Sequence, residues 1–202
     1  MDQALIERLK HFWIKFNESD KSLLLDWINF NMKTYGTTRS ENRNIFGVLI
    51  ERFFIKHLTD IGFSVESLGD TKRVDIQVEN VGYFSLKWSK TGDIKLHNSL
   101  GFNRDITFHS TIIITPSSIW LITEELVKLY DISLHSYLKN TGDGLSLKRT
   151  ILTRLDKLNY KFRCPVMIST QSNNKSFVDL AEENTYKYFK DVAKSIPHLS
   201  SP

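Results

Sequence analysis

The sequence predicts a mixed fold of the α+β or α/β class, with a central mixed sheet of four to five strands flanked by helices. Three observations carry this expectation. Apolar residues recur at helical spacing from Leu5 to Leu58, the period changes to two after Gly62, and strand-like runs then alternate with further amphipathic stretches. With 41% hydrophobic and 12% aromatic residues, the 202-residue chain can bury the core of one domain, which excludes a disordered polymer or a disulfide mini-scaffold.

Leu5, Leu9, Phe12, Trp13 and Phe16 recur at three- and four-residue steps, and Leu23, Leu24, Trp27, Ile28 and Phe30 continue the pattern. Gly36-Thr37-Thr38 breaks it, and Ser40 is a suitable N-cap for the next helix, expected from Glu41 to Ile61. That helix has a narrow polar side of Arg52, Lys56, Thr59 and Asp60. Phe46, Val48, Leu49, Ile50, Phe53, Phe54, Ile55 and Leu58 occupy the wide apolar arc expected of a central packing element. Glu51 falls outside the polar side, between Phe54, Ile55 and Leu58.

Three alternating runs follow, Phe63–Ser67, Arg73–Val78 and Tyr83–Trp88, and read as a meander of strands. A polar, lysine-rich stretch from Ser89 to Asp105 leads to a buried strand at Thr111–Thr115, ended by Pro116. Helices are expected to fill Thr123 to Asn159 with a break at Gly142-Asp143-Gly144. A strand is expected over Cys164–Thr170, and a closing helix from Phe177 to Ser195. Trp13, Trp27, Trp88 and Trp120 lie in apolar runs and read as core.

Lys and Arg number 27 against 23 Asp and Glu, a net charge of +4 that permits a polyanionic partner without requiring one. The single cysteine, Cys164, excludes an internal disulfide and a cysteine zinc site. The amphipathic start, which carries acids, differs from a signal peptide, and no apolar run reaches the roughly 20 residues of a membrane span. A cytoplasmic protein without membrane contact is the expectation. The six histidines form no His-Glu-x-x-His pattern, Gly142-Asp-Gly144 lacks the Lys-Ser/Thr of a phosphate loop, and no oxyanion-hole motif accompanies Ser85 and Lys87.

The informative stretch is Arg73 to Lys87. A three-residue loop at Asn80-Val81-Gly82, with Gly82 in the left-handed region, pairs Glu79 with Tyr83, Gln77 with Ser85 and Asp75 with Lys87. Those side chains then share a polar face, while Val74, Ile76, Val78, Phe84, Leu86 and Trp88 enter the core. A two-residue loop would shift the pairing by one and set Asp75 among apolar partners. Taken alone, an Asp–Lys pair across two strands is an ordinary surface ion pair worth under about 1 kcal/mol.

Helix, strand and hairpin together resemble the PD-(D/E)xK nuclease superfamily, which includes many type II restriction endonucleases. The pattern is an acid on one strand, then acid-x-Lys on its neighbour, preceded by a helix contributing a Glu. Here it is met by Glu51, Asp75 and Ser85-Leu86-Lys87, over about residues 41 to 115. Val74 stands where the proline would be, and Ser85 where the second acid would be. Some Ser-x-Lys members carry a compensating glutamate twelve or thirteen residues after the lysine, but this chain has Leu100 and Gly101 there. Glu51 is the preferred substitute, with Gln77 a supporting group and Asp93 a further ligand candidate.

The resemblance implies a restriction-endonuclease-like core, with Asp75, Lys87, Glu51 and Ser85 as the catalytic set. Asp75 and Glu51 would hold Mg²⁺, for which Mn²⁺ could substitute. Lys87 would orient or help deprotonate a water and neutralise the transition state. It also implies a homodimer that cuts both strands of a short site in double-stranded DNA, leaving 5′-phosphate and 3′-hydroxyl ends. Residues 1 to 202 would form a single nuclease domain. Its helical part, 1–35, offers Leu5 to Phe30 as a dimer surface; the catalytic core spans 41–115, and 116–202 adds helices, a strand and a recognition loop.

The loop after the lysine strand, with Lys90, Thr91, Lys95, His97, Asn98 and then Arg104, suits phosphate and base-edge contacts. Gln171, Asn173, Asn174 and Lys175 form a candidate recognition loop, since Asn and Gln pair bidentately with adenine; turns favour the same residues for backbone reasons. Residues 59–79 carry a local charge of −3, whereas 85–104 carry +3 and 144–164 carry +5. Two other readings fit the same residues: a structure-selective nuclease of the junction-resolvase or repair kind, and a DNA-binding module that lost catalysis with the acid at Ser85.

Overall fold

Aromatic stacking on one face of the meander organises the core. The computed structural model describes residues 2–35, 40–68, 74–89, 94–98, 110–115, 118–140, 144–157 and 163–165. Contacts divide the chain into two compact units, residues 1–19 with 47–167 and residues 20–46 with 168–202.

In the first unit, helix α1 (Gln3–Glu18) starts at Asp2, whose carboxylate accepts from the amides of Ala4 and Leu5. Ile6, Leu9, Phe12, Trp13 and Phe16 are buried along one stripe, with Ile6 replacing the expected Leu5. Phe12 stacks on Phe84 at 5.4 Å between centroids and meets Phe63 edge-on. Phe16 stacks on Phe54 of helix α3 (Ser40–Asp60) and receives His57 edge-on. The Ser19 hydroxyl donates to the Phe16 carbonyl, so His57 Nε2 donates to Ser19 Oγ at 2.9 Å. Arg52, Lys56, Thr59 and Asp60 of α3 are exposed, as their spacing predicts. Val48, expected in the apolar arc, is instead 52% exposed. Residue 46 is among those whose side chains lie outside the described set.

The sheet has six strands in the order β1 (Val65–Ser67), β2 (Ile76–Val78), β3 (Gly82–Trp88), β5 (Thr111–Ile114), β6 (Ser118–Ile122) and β9 (Arg163–Pro165). Only β3 and β5 are parallel neighbours, so the sheet is mixed. It is one or two strands wider than expected because Ser118–Ile122, all buried, forms a further strand. Thr115 ties its start to the end of β5: Thr115 Oγ1 donates to the Ser118 carbonyl and accepts from its amide.

A second, three-stranded sheet orders β4 (Ile94–Asn98), β8 (Gly144–Leu147) and β7 (Leu138–Asn140). This corrects two expectations, a loop after Ser89 and helices filling 123–159 on both sides of Gly142-Asp143-Gly144. Helix does form at α4 (Glu124–Lys128), where Thr123 Oγ1 accepts from the Leu126 amide. It ends as Asp131 takes a φ of 53°, and after one 3₁₀ turn at Leu134–Tyr137 the chain extends into the β7–β8 hairpin. Helix α5 (Thr150–Lys157) buries Ile151, Leu152 and Leu155. Trp13 and Trp120 are buried as expected, while Trp88 is half-buried.

In the second unit, helix α2 (Ser22–Tyr35) buries Leu24, Trp27, Ile28 and Asn31, and Asn31 Nδ2 donates to the Trp27 carbonyl. Half-burial pushes the Asp26 carboxyl up to about 6, with the neighbouring Asp20 carboxylate adding to the shift. The expected strand continuation to Thr170 and helix over 177–195 lie outside the described residues. No helix among the described residues is long and apolar enough to cross a membrane.

Candidate active site

The β2–β3 hairpin has a three-residue loop, but displaced by one position from the expected one. Val78 pairs with Gly82, Gln77 with Tyr83 and Ile76 with Phe84. The loop is therefore Glu79-Asn80-Val81, closed by the Val81 amide donating to the Val78 carbonyl at 3.1 Å. Asn80 takes the left-handed position with φ 60°, which its short polar side chain tolerates. The shift lets Val81 bury its side chain, while Gly82, at φ 146°, opens β3.

A displacement of two in the pairing sum preserves the faces, because side chains alternate with period two. Val74, Ile76, Val78 and Phe84 are buried, Phe84 against Phe12 of α1, and Asp75, Gln77, Tyr83, Ser85 and Lys87 fall on the other face. Continued one residue past Ile76–Phe84, this register sets Ser85, not Lys87, opposite Asp75. Lys87 instead reaches it diagonally: Nζ donates to Asp75 Oδ2 at 3.1 Å, with the two side chains 24% and 30% exposed.

The same oxygen accepts the Leu86 amide at 2.6 Å. The Asp75 amide donates to the Phe84 carbonyl, so the backbone ladder runs as far as Asp75 and its carboxylate then serves the next inward amide of β3. This is a physical reason for an acid at the end of β2: a part-buried N–H would otherwise lack a partner. One oxygen, Oδ2, is thus held by the chain. Among the described residues Oδ1 accepts no hydrogen bond.

The other expected site residues divide clearly. Ser85 is 4% exposed, and its amide donates to the Ser110 carbonyl, so it is a packed residue of the central ladder. Glu51 is half-buried on α3, where its Oε1 accepts from Ser67 Oγ at 2.7 Å. Ser67 pairs with Ile76, and the Leu68 amide donates to the Asp75 carbonyl, so this contact brings the helix carboxylate to the strand beside Asp75. By alternation Ser67 lies on the Ile76 face, opposite the Asp75 side chain. Asp75 is thus joined with Lys87, and Glu51 with Ser67.

Lys95 is exposed on β4. His97 and Asn98 belong to the same strand, but their side chains lie outside the described residues. So do Lys90, Thr91, Asp93, Arg104, Gln171, Asn173, Asn174 and Lys175. Among the described residues, no three His, Cys, Asp or Glu side chains gather as a metal-holding group.

Sequence reasoning missed the Leu86 amide, Ser67 and the β7–β8 hairpin. The hairpin had a signal, since Leu138-Lys-Asn and Leu145-Ser-Leu flank Gly142-Asp-Gly with alternating polarity. The backbone amide and Ser67 had none, because each contact depends on strand register. Comparison with protein-family models, curated proteins and solved structures found no match.

Proposed function

We propose that this chain is a Mg²⁺-dependent endonuclease that hydrolyses DNA phosphodiesters at a short duplex sequence, working as a homodimer. The observation that carries the reading is the Asp75 carboxylate, tethered through Oδ2 to the Leu86 amide and Lys87, with Oδ1 available. Mg²⁺ is commonly bound by only one or two carboxylates together with waters and substrate phosphates, so this donor chemistry fits it. Asp75 would hold the ion through Oδ1; Glu51 is the second candidate and would have to leave Ser67, on the opposite face, to reach it. When bound, the ion supplies charge neutralisation at the phosphate and acidifies water.

The chain's own groups do the rest. The Leu86 amide and Lys87 ammonium fix the carboxylate's orientation, so it need not reorganise as charge develops. Lys87, on the same polar face, orients the attacking water and neutralises the phosphorane-like charge. Water oxygen bonds to phosphorus as the bond to the 3′ oxygen breaks; the attacking water gives a proton to solvent and the departing 3′ oxygen takes one up from it. The ends are a 5′-phosphate and a 3′-hydroxyl.

Burial of Ser85 favours one second reading, a DNA-binding module without catalysis, since a packed hydroxyl does not replace a ligand carboxylate. Incubation of the purified protein with long duplex DNA and Mg²⁺ separates them. Discrete, reproducible fragments are expected; cutting only at branches points to a structure-selective nuclease, and binding without cutting in Mg²⁺ or Mn²⁺ to the module.

A further inference from the structure

We infer that the outer face of the β4–β8–β7 sheet, continued along α5, is a docking surface for the phosphate backbone of duplex DNA. The choice of DNA rests on the proposed nuclease function; the surface itself rests on register and charge. Ser146 pairs with Lys95 on one side and Lys139 on the other, so the three side chains form one row across the sheet. Both lysines are exposed and Ser146 is half-buried. The adjacent row, Ile94–Leu147–Leu138, faces the other way, with Ile94 and Leu147 buried. The sheet is thus committed to showing its lysine face outward.

Neighbouring strands lie about 4.8 Å apart, which puts the Lys95 and Lys139 backbones roughly 10 Å apart. Flexible four-carbon arms over that span reach phosphates on either side of a groove about 6 to 12 Å wide. Arg149, Arg154 and Lys157 follow β8 in the chain, the last two on α5, and all three are exposed. Asp156 is the acid in α5. β4 also contacts β3, the strand that carries the proposed catalytic lysine.

Edge strands often carry lysines simply to prevent sheet-to-sheet aggregation, and β4 and β7 are both edges. That role explains one cation per edge, but not the exposed Arg149, Arg154 and Lys157 that follow β8 in the chain. Salt dependence distinguishes the two. A mixed-sequence 30-base-pair duplex would be titrated in EDTA, which prevents metal-dependent cutting, at 50 to 200 mM salt. Each phosphate contact contributes about −0.9 to the slope of log K against log salt. Replacing Lys95→Gln and Lys139→Gln together is therefore expected to flatten that slope by about 2. Over this fourfold salt range, the wild type's loss of affinity would exceed the variant's by about tenfold. Lys56→Gln, an exposed lysine paired with Asp60, serves as the control that leaves the slope unchanged.

An unchanged slope in the double variant overturns the inference, even if the protein cuts DNA. Aggregation of that variant with an unchanged slope would assign the lysines to edge protection. Lysine-dependent duplex binding without cutting in Mg²⁺ upholds the docking surface and sinks the nuclease reading. Wild-type protein that binds no duplex at 50 mM salt sinks both.

Discussion

The β1–β3 meander and the β4–β8–β7 sheet both turn one apolar face inward and one polar face outward, yet they hold their charges in different ways. On the meander, the Asp75 carboxylate is built into the ladder, taking the Leu86 amide and Lys87 on one oxygen. On the smaller sheet, Lys95 and Lys139 extend from exposed strand positions on either side of Ser146. A carboxylate held by backbone suits chemistry at a fixed point. Ammonium groups on long exposed arms suit a diffuse, repeating anion, for which many geometries are equivalent.

Breaking the support behind the meander has the largest expected effect. Phe84→Ala removes the ring stacked on Phe12 from a fully buried position and should cost about 3–5 kcal/mol in denaturant unfolding. Asp75→Asn keeps an oxygen for the Leu86 amide but loses the charge. Cutting should fall by about a hundredfold or more in single-turnover assays, with thermal unfolding nearly unchanged. Normal cutting by that variant, or by Lys87→Ala, would remove the meander from the catalytic account. Asp75→Ala, by contrast, also strands the part-buried Leu86 amide, at about 1–2 kcal/mol of stability. The difference between the Asn and Ala variants separates the carboxylate's structural work from its chemical work.

Asp26 on α2 supplies a smaller effect. Its carboxyl is raised from 3.8 to about 6, so the folded chain binds more protons than the unfolded chain between those values. Stability therefore falls as pH rises through that window, and the full cost is present above it. Asp26→Asn should unfold at a higher temperature than the wild type at pH 8, by about 1 kcal/mol after allowance for solvent screening, and no higher at pH 3. A gain of equal size at both pH values would mean that ionisation is not its origin. Smallest in stability is Glu51→Gln, which retains an acceptor for Ser67. Lost cutting would join α3 to the meander's chemistry; full cutting would pass its ligand role to Asp93.

Alternating polarity within Arg73–Lys87 was sufficient to assign faces: Asp75, Ser85 and Lys87 on one, and Ile76, Val78 and Phe84 on the other. It was insufficient for register, because any shift of two in the pairing keeps every side chain on its face. The hairpin closed over Glu79-Asn80-Val81, and Asp75 came opposite Ser85. Helix spacing identified Phe12, Phe16, Phe53, Phe54 and Leu58 as core, since burial on one stripe follows from a period of 3.6. Val48 departed from that pattern because exposure depends on what covers each part of a helix.

By itself, then, the sequence determined periodicity, and through it the first three helices, the meander and the placement of an acid and a lysine on one polar face. Tertiary structure decided which amide Asp75 serves, which hydroxyl engages Glu51, and that 138–147 pairs with 94–98 as sheet. The reason is physical: periodicity is written in neighbouring residues, whereas a strand's hydrogen-bond partner lies elsewhere in the chain. Whether a segment extends or coils there depends on the edge it meets.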